Sequence, residues 1–133
     1  MIGALDSSDA HHEHARRLLA DARERKDSLT IGAVNLTEVL IAPSADAAKL
    51  ATAREAIAAF GIAVRQPSEA VAVDAARFRG RHPISLPHAF LLAGAKHTGA
   101  TIASFDQKVM RAAEREALPT VPDLSPPEAQ AEI

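Results

Sequence analysis

Two carboxylates stand where an α/β chain places its chemistry, Glu38 and Asp106. Glu38 lies early in a helix that follows the apolar run Leu29-Thr30-Ile31-Gly32-Ala33. Asp106 comes directly after Thr101-Ile102-Ala103-Ser104. In open parallel sheets, ligands bind outside the carboxyl ends of the strands. Acidic side chains there can hold a hard cation through oxygen. The plain alternative is that each one caps a helix or complements its dipole. Asp106 is the better functional candidate, because it follows a near-continuous apolar strand. His88 stands near the head of a helix that Pro87 opens. It reads either as a metal ligand or phosphate contact, or as a partly buried structural histidine.

Two further groupings carry less. His11-His12-Glu13-His14 has the look of a metal cluster. Only residues three or four apart share a helix face, so at most His11 and His14 converge. No HExxH pattern occurs, and a solvated helix face is the simpler reading. Arg77, Arg79, Arg81 and His82 form a local basic patch beside a loop. They suit a solvated helix end or an RNA backbone.

The elements that position these residues follow from periodicity. A helix is expected from about Asp9 to Lys26, with Ala15, Leu18, Leu19 and Ala22 on one face. The run at 29–33 reads as a buried strand. Helices follow over about 36–42, stopped by Pro43, and over 45–60, stopped by Gly61. Ile62-Ala63-Val64 is a second strand, and 69–79 a further helix. Gly80-Arg81-His82-Pro83 reads as a loop, and Pro87 as the first residue of a helix to about His97. A strand at 101–104 and a helix over 107–116 complete the series. Alternating strands and helices without hairpin signals indicate parallel strands joined by helical crossovers.

Composition bounds the class. The 133 residues suffice for one domain. The absence of Cys excludes disulfides, thiolate metal sites and thiol catalysis. The net charge is −2, so no bulk basic field draws the chain to nucleic acid or membrane. Aromatics make up 3%, which argues against a base-stacking platform. Met1-Ile2-Gly3-Ala4-Leu5 is apolar, but charge arrives at Asp6. The run is too short for a signal peptide or a membrane span.

The order of these pieces resembles the PIN-domain family, and within it the VapC-type toxins of toxin–antitoxin pairs. Four segments carry the likeness. Residues 2–12 look like that family's first helix and following loop. Asn35-Leu36-Thr37-Glu38-Val39-Leu40 resembles the segment bearing its conserved Glu. Ile84-Ser85-Leu86-Pro87-His88-Ala89 resembles its "LPDA" helix. Gly99-Ala100-Thr101-Ile102-Ala103-Ser104-Phe105-Asp106 resembles its last strand with an acidic end. Each motif is weak alone, and four in order are fairly specific.

The resemblance implies a PIN-like three-layer α/β domain over 1–122, its parallel sheet flanked by helices, and a Pro-rich tail over 123–133. It implies a metal-dependent endoribonuclease using Mg²⁺ or Mn²⁺, with Glu38 and Asp106 at the metal. An RNA substrate, an antitoxin partner, a homodimer, a cytoplasmic location and no membrane role come with it. Arg79 and Arg81 are the RNA contacts expected of the basic patch. Two departures follow. The family's third acidic residue falls at His88, whose nitrogen favours Mn²⁺ or Zn²⁺ over Mg²⁺. Its first Asp ends a central strand that falls before Met1, and neither Asp6 nor Asp9 replaces that residue. A start codon placed too late by roughly ten residues, or a decayed gene, accounts for the missing strand. The alternative function is a catalytically inactive PIN module that binds an antitoxin or RNA.

Overall fold

The computed structural model describes residues 12–121. The opening segment with Asp6 and Asp9, the side chains of His11, His12 and His14, and the tail over 123–133 lie outside the described residues. Among the described residues the architecture is a helix-rich α/β chain with a short parallel two-stranded sheet flanked by helices, consistent with the PIN-like fold that the resemblance implies. It divides into two compact units that meet in sequence at Gln66 and Pro67.

The first unit begins with helix α1 (His12–Glu24). Strand β1 (Leu29–Gly32) follows and runs straight into α2 (Ala33–Leu40). A short 3-10 turn (Pro43–Ala45) leads to α3 (Ala47–Ala59), and β2 (Ile62–Arg65) closes the unit. The two strands are parallel, with Leu29 opposite Ile62 and Ile31 opposite Val64. Parallel pairing needs a crossover, and α2 and α3 supply it. Leu19, Ala22, Ile31, Val39, Ala53 and Ile57 are the buried apolar residues here. Asp46 caps α3 by accepting from the amides of Ala48 and Lys49. Gly61 stops it in the left-handed region, φ +68°.

The helix bearing Glu38 starts at Ala33, three residues earlier than the sequence suggests. Ala33 is a strong helix former and joins the helix rather than the strand.

The second unit holds α4 (Glu69–Arg81), α5 (Leu86–Thr98) and α6 (Gln107–Arg115). Helices α4 and α5 pack against each other across the short link 82–85. Their core contains Phe78, Ala89, Leu92, Ala93, Ile102, Val109 and Ala113, all nearly or wholly buried. Alanine dominates this interior, so the helices approach closely. Two expectations are corrected here. The region 80–81 belongs to α4 and is not a loop. The strand expected at 101–104 is reduced to a single parallel bridge between Ile102 and Thr120. A strand needs a hydrogen-bonded neighbour along its length, and among the described residues only 119–121 meets this segment, through the Ile102 amide to Pro119 and the Val121 amide to Ile102.

Helix α6 ends in a Schellman turn. The Leu118 amide reaches the Ala113 carbonyl and the Ala117 amide that of Glu114. Ala117 occupies the left-handed position with φ 56°, where glycine is usual. A Cβ there costs roughly 1–2 kcal/mol, against about 0.5–1 kcal/mol of extra chain entropy for glycine. Ala117→Gly is expected to raise stability by about 0.5–1 kcal/mol, read as a higher denaturant midpoint with an unchanged slope. A lower midpoint contradicts this account of the turn.

Candidate functional site

The second unit brings two of the candidate residues together. Asp106 is the N-cap of α6, and its Oδ1 accepts from the amides of Lys108 and Val109 at 2.8 and 3.1 Å. Its own amide donates to Ser104 Oγ at 3.1 Å, which fixes the turn into the helix. Oδ2 takes no part in the cap and lies 3.9 Å from His88 Nδ1. His88 is the third residue of α5, one turn from the cap Ser85, whose Oγ accepts from the His88 amide. The amino ends of α5 and α6 therefore meet at a histidine–carboxylate pair. The His88 side chain is 22% exposed and that of Asp106 41%, so both reach solvent. Asp106 is a helix cap through Oδ1, as one reading of the sequence has it, and its Oδ2 is left outside the cap.

Glu38 belongs to the first unit and sits in the second turn of α2, half-buried. The first turn of α2 carries no acidic residue, so Glu38 neither caps the helix nor complements its dipole at close range. Among the described residues it has no ion-pair partner.

Mg²⁺ demands near-octahedral oxygen coordination. Among the described residues no three His, Asp or Glu side chains converge on one point. The pair His88–Asp106 offers one nitrogen and one oxygen, a donor set that fits an ion tolerant of imidazole, such as Mn²⁺, better than Mg²⁺.

The basic patch is organised differently from the sequence expectation. Arg81 donates through Nε and Nη2 to the two carboxylate oxygens of Glu116, each at 3.0 Å. His82 is buried and contacts Glu116 Oε2 through Nε2 at 2.6 Å. An ionised carboxylate only accepts, so Nε2 carries the proton. His82 Nδ1 is buried and, among the described residues, has no hydrogen-bond partner. Arg79 is exposed. A second carboxylate, the buried Asp74, accepts from His97 Nε2 at 2.7 Å and faces Lys96 Nζ and Arg77 Nη1 at 3.3 Å each. Sequence reasoning missed Asp74, Lys96, His97 and Glu116. The one local signal was the Asp74–Arg77 spacing of three residues on a helix.

Both carboxyls are held below their ordinary values. For Asp74 the main cause is the His97 hydrogen bond, opposed by burial and helped by Lys96 and Arg77. For Glu116 it is the His82 hydrogen bond, opposed by burial and helped by Arg81. A carboxyl whose folded value is depressed contributes stability above its unfolded value of about 4, and that contribution vanishes as pH falls through the lower folded value. Thermal melts taken from pH 6 downward are therefore expected to show a steeper acid loss for the native chain than for an Asp74→Asn, Glu116→Gln variant. Parallel curves contradict it.

Comparison with known proteins fits this picture. The PIN domain family model matches residues 1–115. The chain belongs to the PIN domain family, generally a nuclease fold, whose members are typically dependent on divalent metal and commonly bind RNA. A search of curated proteins found no match. Among the described residues no helix is long and apolar enough to cross a membrane.

Proposed function

We propose that this protein is a metal-dependent endoribonuclease that hydrolyses RNA phosphodiester bonds, with Asp106 as a metal-site residue, His88 as a nitrogen donor beside it, and Glu38 as the further carboxylate that the family resemblance assigns to the metal. The observation that carries the reading is the free Oδ2 of Asp106 against His88 at 3.9 Å, set at two helix amino ends in a PIN-family chain. Asp106 presents that oxygen rigidly, because its other oxygen and its amide are tied into the α6 cap. His88 lies where the resemblance places an acidic residue, and it presents Nδ1 toward the same oxygen. A divalent ion, when bound, stabilises charge on the phosphoryl oxygens and activates water.

The finer reading is a VapC-type toxin, cytoplasmic, acting as a homodimer and restrained by a small antitoxin. It is supported by the order and spacing of the four motifs. The test is incubation of end-labelled RNA with the purified chain in Mg²⁺, in Mn²⁺ and in EDTA. Cleavage is expected with metal and not with EDTA, and faster in Mn²⁺ than in Mg²⁺, since imidazole nitrogen suits the softer ion. Equal cleavage in EDTA removes the proposal. Absence of cleavage in any metal, together with retained RNA binding, favours the inactive binding module.

A further inference from the structure

We infer that the outer face formed by α4 and α5 is a docking strip for the phosphodiester backbone of RNA, with Arg77, Arg81 and Lys96 as its contacts and Asp74 and Glu116 as positioning residues. The choice of RNA rests on the nuclease reading above. The placement of the strip rests on the geometry alone.

Asp74, Arg77, Phe78 and Arg81 share one face of α4, at the spacing of three and four residues that places side chains side by side. Lys96 joins them from α5. Its Nζ lies 5.8 Å from the centre of the Phe78 ring, and the Arg81 guanidinium carbon lies 5.3 Å from the same ring. Lys96 also meets Asp74, as Arg77 does. A continuous row of cations therefore runs over one buried ring and two carboxylates.

Exposure decides the sign of the face. The carboxylate side chains of Asp74 and Glu116 are 9% and 20% exposed. The cationic side chains of Arg77, Arg81 and Lys96 are 64%, 52% and 50% exposed. Negative charge lies beneath and positive charge faces solvent. Each guanidinium keeps donors for a ligand. Arg81 uses Nε and Nη2 on Glu116 and retains Nη1, and Arg77 uses only Nη1 on Asp74. Forked, planar donors suit phosphate oxygens. The side chains are already ordered, so a ligand meets less entropic cost on binding. Phe78 is 2% exposed and cannot stack on a base, so the strip contacts backbone and reads no sequence. Arg79 lies on a different face of α4 and is outside the strip.

The test is binding of a short 2′-O-methyl RNA, which resists cleavage, to the full chain in EDTA, followed by fluorescence anisotropy over a salt series. Arg77→Gln with Lys96→Gln is expected to weaken binding roughly tenfold and to flatten the slope of log K against log salt by about 1.4, the value for two lost phosphate contacts on a single strand. Lys49→Gln with Arg54→Gln on α3 removes the same charge from exposed positions in the other unit and is expected to leave Kd within about twofold. Equal loss in both double variants overturns the inference, because binding then follows net charge. Unchanged Kd and slope in the α4–α5 variant also overturn it, as does failure of the native chain to bind RNA. Binding of a poly-glutamate peptide with the same residue dependence, in place of RNA, assigns the strip to an acidic protein and overturns it too. Photo-crosslinking of thiouridine RNA to the native chain needs no variant. Crosslinks within 69–98 support the strip, and crosslinks confined elsewhere overturn it. Because no step requires cleavage, a chain that binds here but never cuts retains the strip and loses the nuclease reading.

Discussion

Asp106→Asn is expected to lower metal-dependent RNA cleavage at least about a hundredfold while leaving stability within roughly 0.5 kcal/mol of the native chain. The split follows from the two jobs of one side chain. Oδ1 caps α6 through the amides of Lys108 and Val109. Asparagine caps a helix about as well as aspartate, through the same oxygen. What it lacks is the negative charge that a hard or borderline divalent ion requires. Metal stabilisation of a phosphoryl transition state amounts to several kcal/mol, and about 2.7 kcal/mol already corresponds to a hundredfold rate. Asp106→Ala removes both functions and should cost about 1 kcal/mol of stability in addition. Urea denaturation and single-turnover cleavage on the three proteins separate the terms. If Asp106→Asn cleaves RNA at the native rate, Asp106 is a cap and nothing more; if Asn lowers stability as much as Ala does, the capping account fails.

The second large effect is structural. Phe78→Ala is expected to cost about 3–5 kcal/mol, a large share of the 5–15 kcal/mol that a typical domain possesses. Phe78 is among the largest fully buried side chains and sits in the core of the second unit with Leu92, Ile102 and Val109. Its neighbours in that core include Ala75, Ala89, Ala93, Ala112 and Ala113. An alanine side chain is a single methyl that cannot swing into a cavity, so little relaxation can follow the loss of the ring. Phe78→Leu keeps most of the volume and should cost distinctly less. Guanidinium denaturation gives both values. A difference of under about 1 kcal/mol between Ala and Leu contradicts close packing around the ring.

Much of the fold is legible in the residues. The apolar runs at 29–33 and 62–64 mark the two strands of the sheet, Leu29–Gly32 and Ile62–Arg65, and their parallel pairing follows from the helices between them. Pro87 announces α5, which starts one residue earlier at Leu86 behind the cap Ser85, and Gly99 ends it with φ +71°. Asp106 announces α6 as a cap. The departures have physical causes. Gly80 and the polar residues after it suggest a loop, yet a glycine inside a helix costs only about 1 kcal/mol. The helix instead continues to Arg81, and Arg81 and His82 gain Glu116. Thr101-Ile102-Ala103-Ser104 has strand composition, but composition supplies no hydrogen-bonding neighbour, and only Ile102 is paired.

The candidate site was legible at the level of residue type. Asp106 and His88 were both marked by their positions at helix starts, and their contact follows once α5 and α6 are placed. The charged networks were not legible. Asp74 meets His97 across 23 residues and Glu116 meets His82 across 34. Pairing over such separations is set by how helices pack, and no local pattern announces it. The basic patch was visible as a run of arginines, but which of them face outward depends on carboxylates that lie elsewhere in the chain.

The most direct measurement is a Mn²⁺ titration of RNA cleavage by the native chain beside Glu38→Gln. The native chain should show cleavage that rises with Mn²⁺, saturates and disappears on chelation, and Glu38→Gln should show none across the same range. Cleavage by Glu38→Gln at the native rate, or cleavage that ignores both Mn²⁺ and chelator, contradicts a metal-dependent nuclease built on these carboxylates.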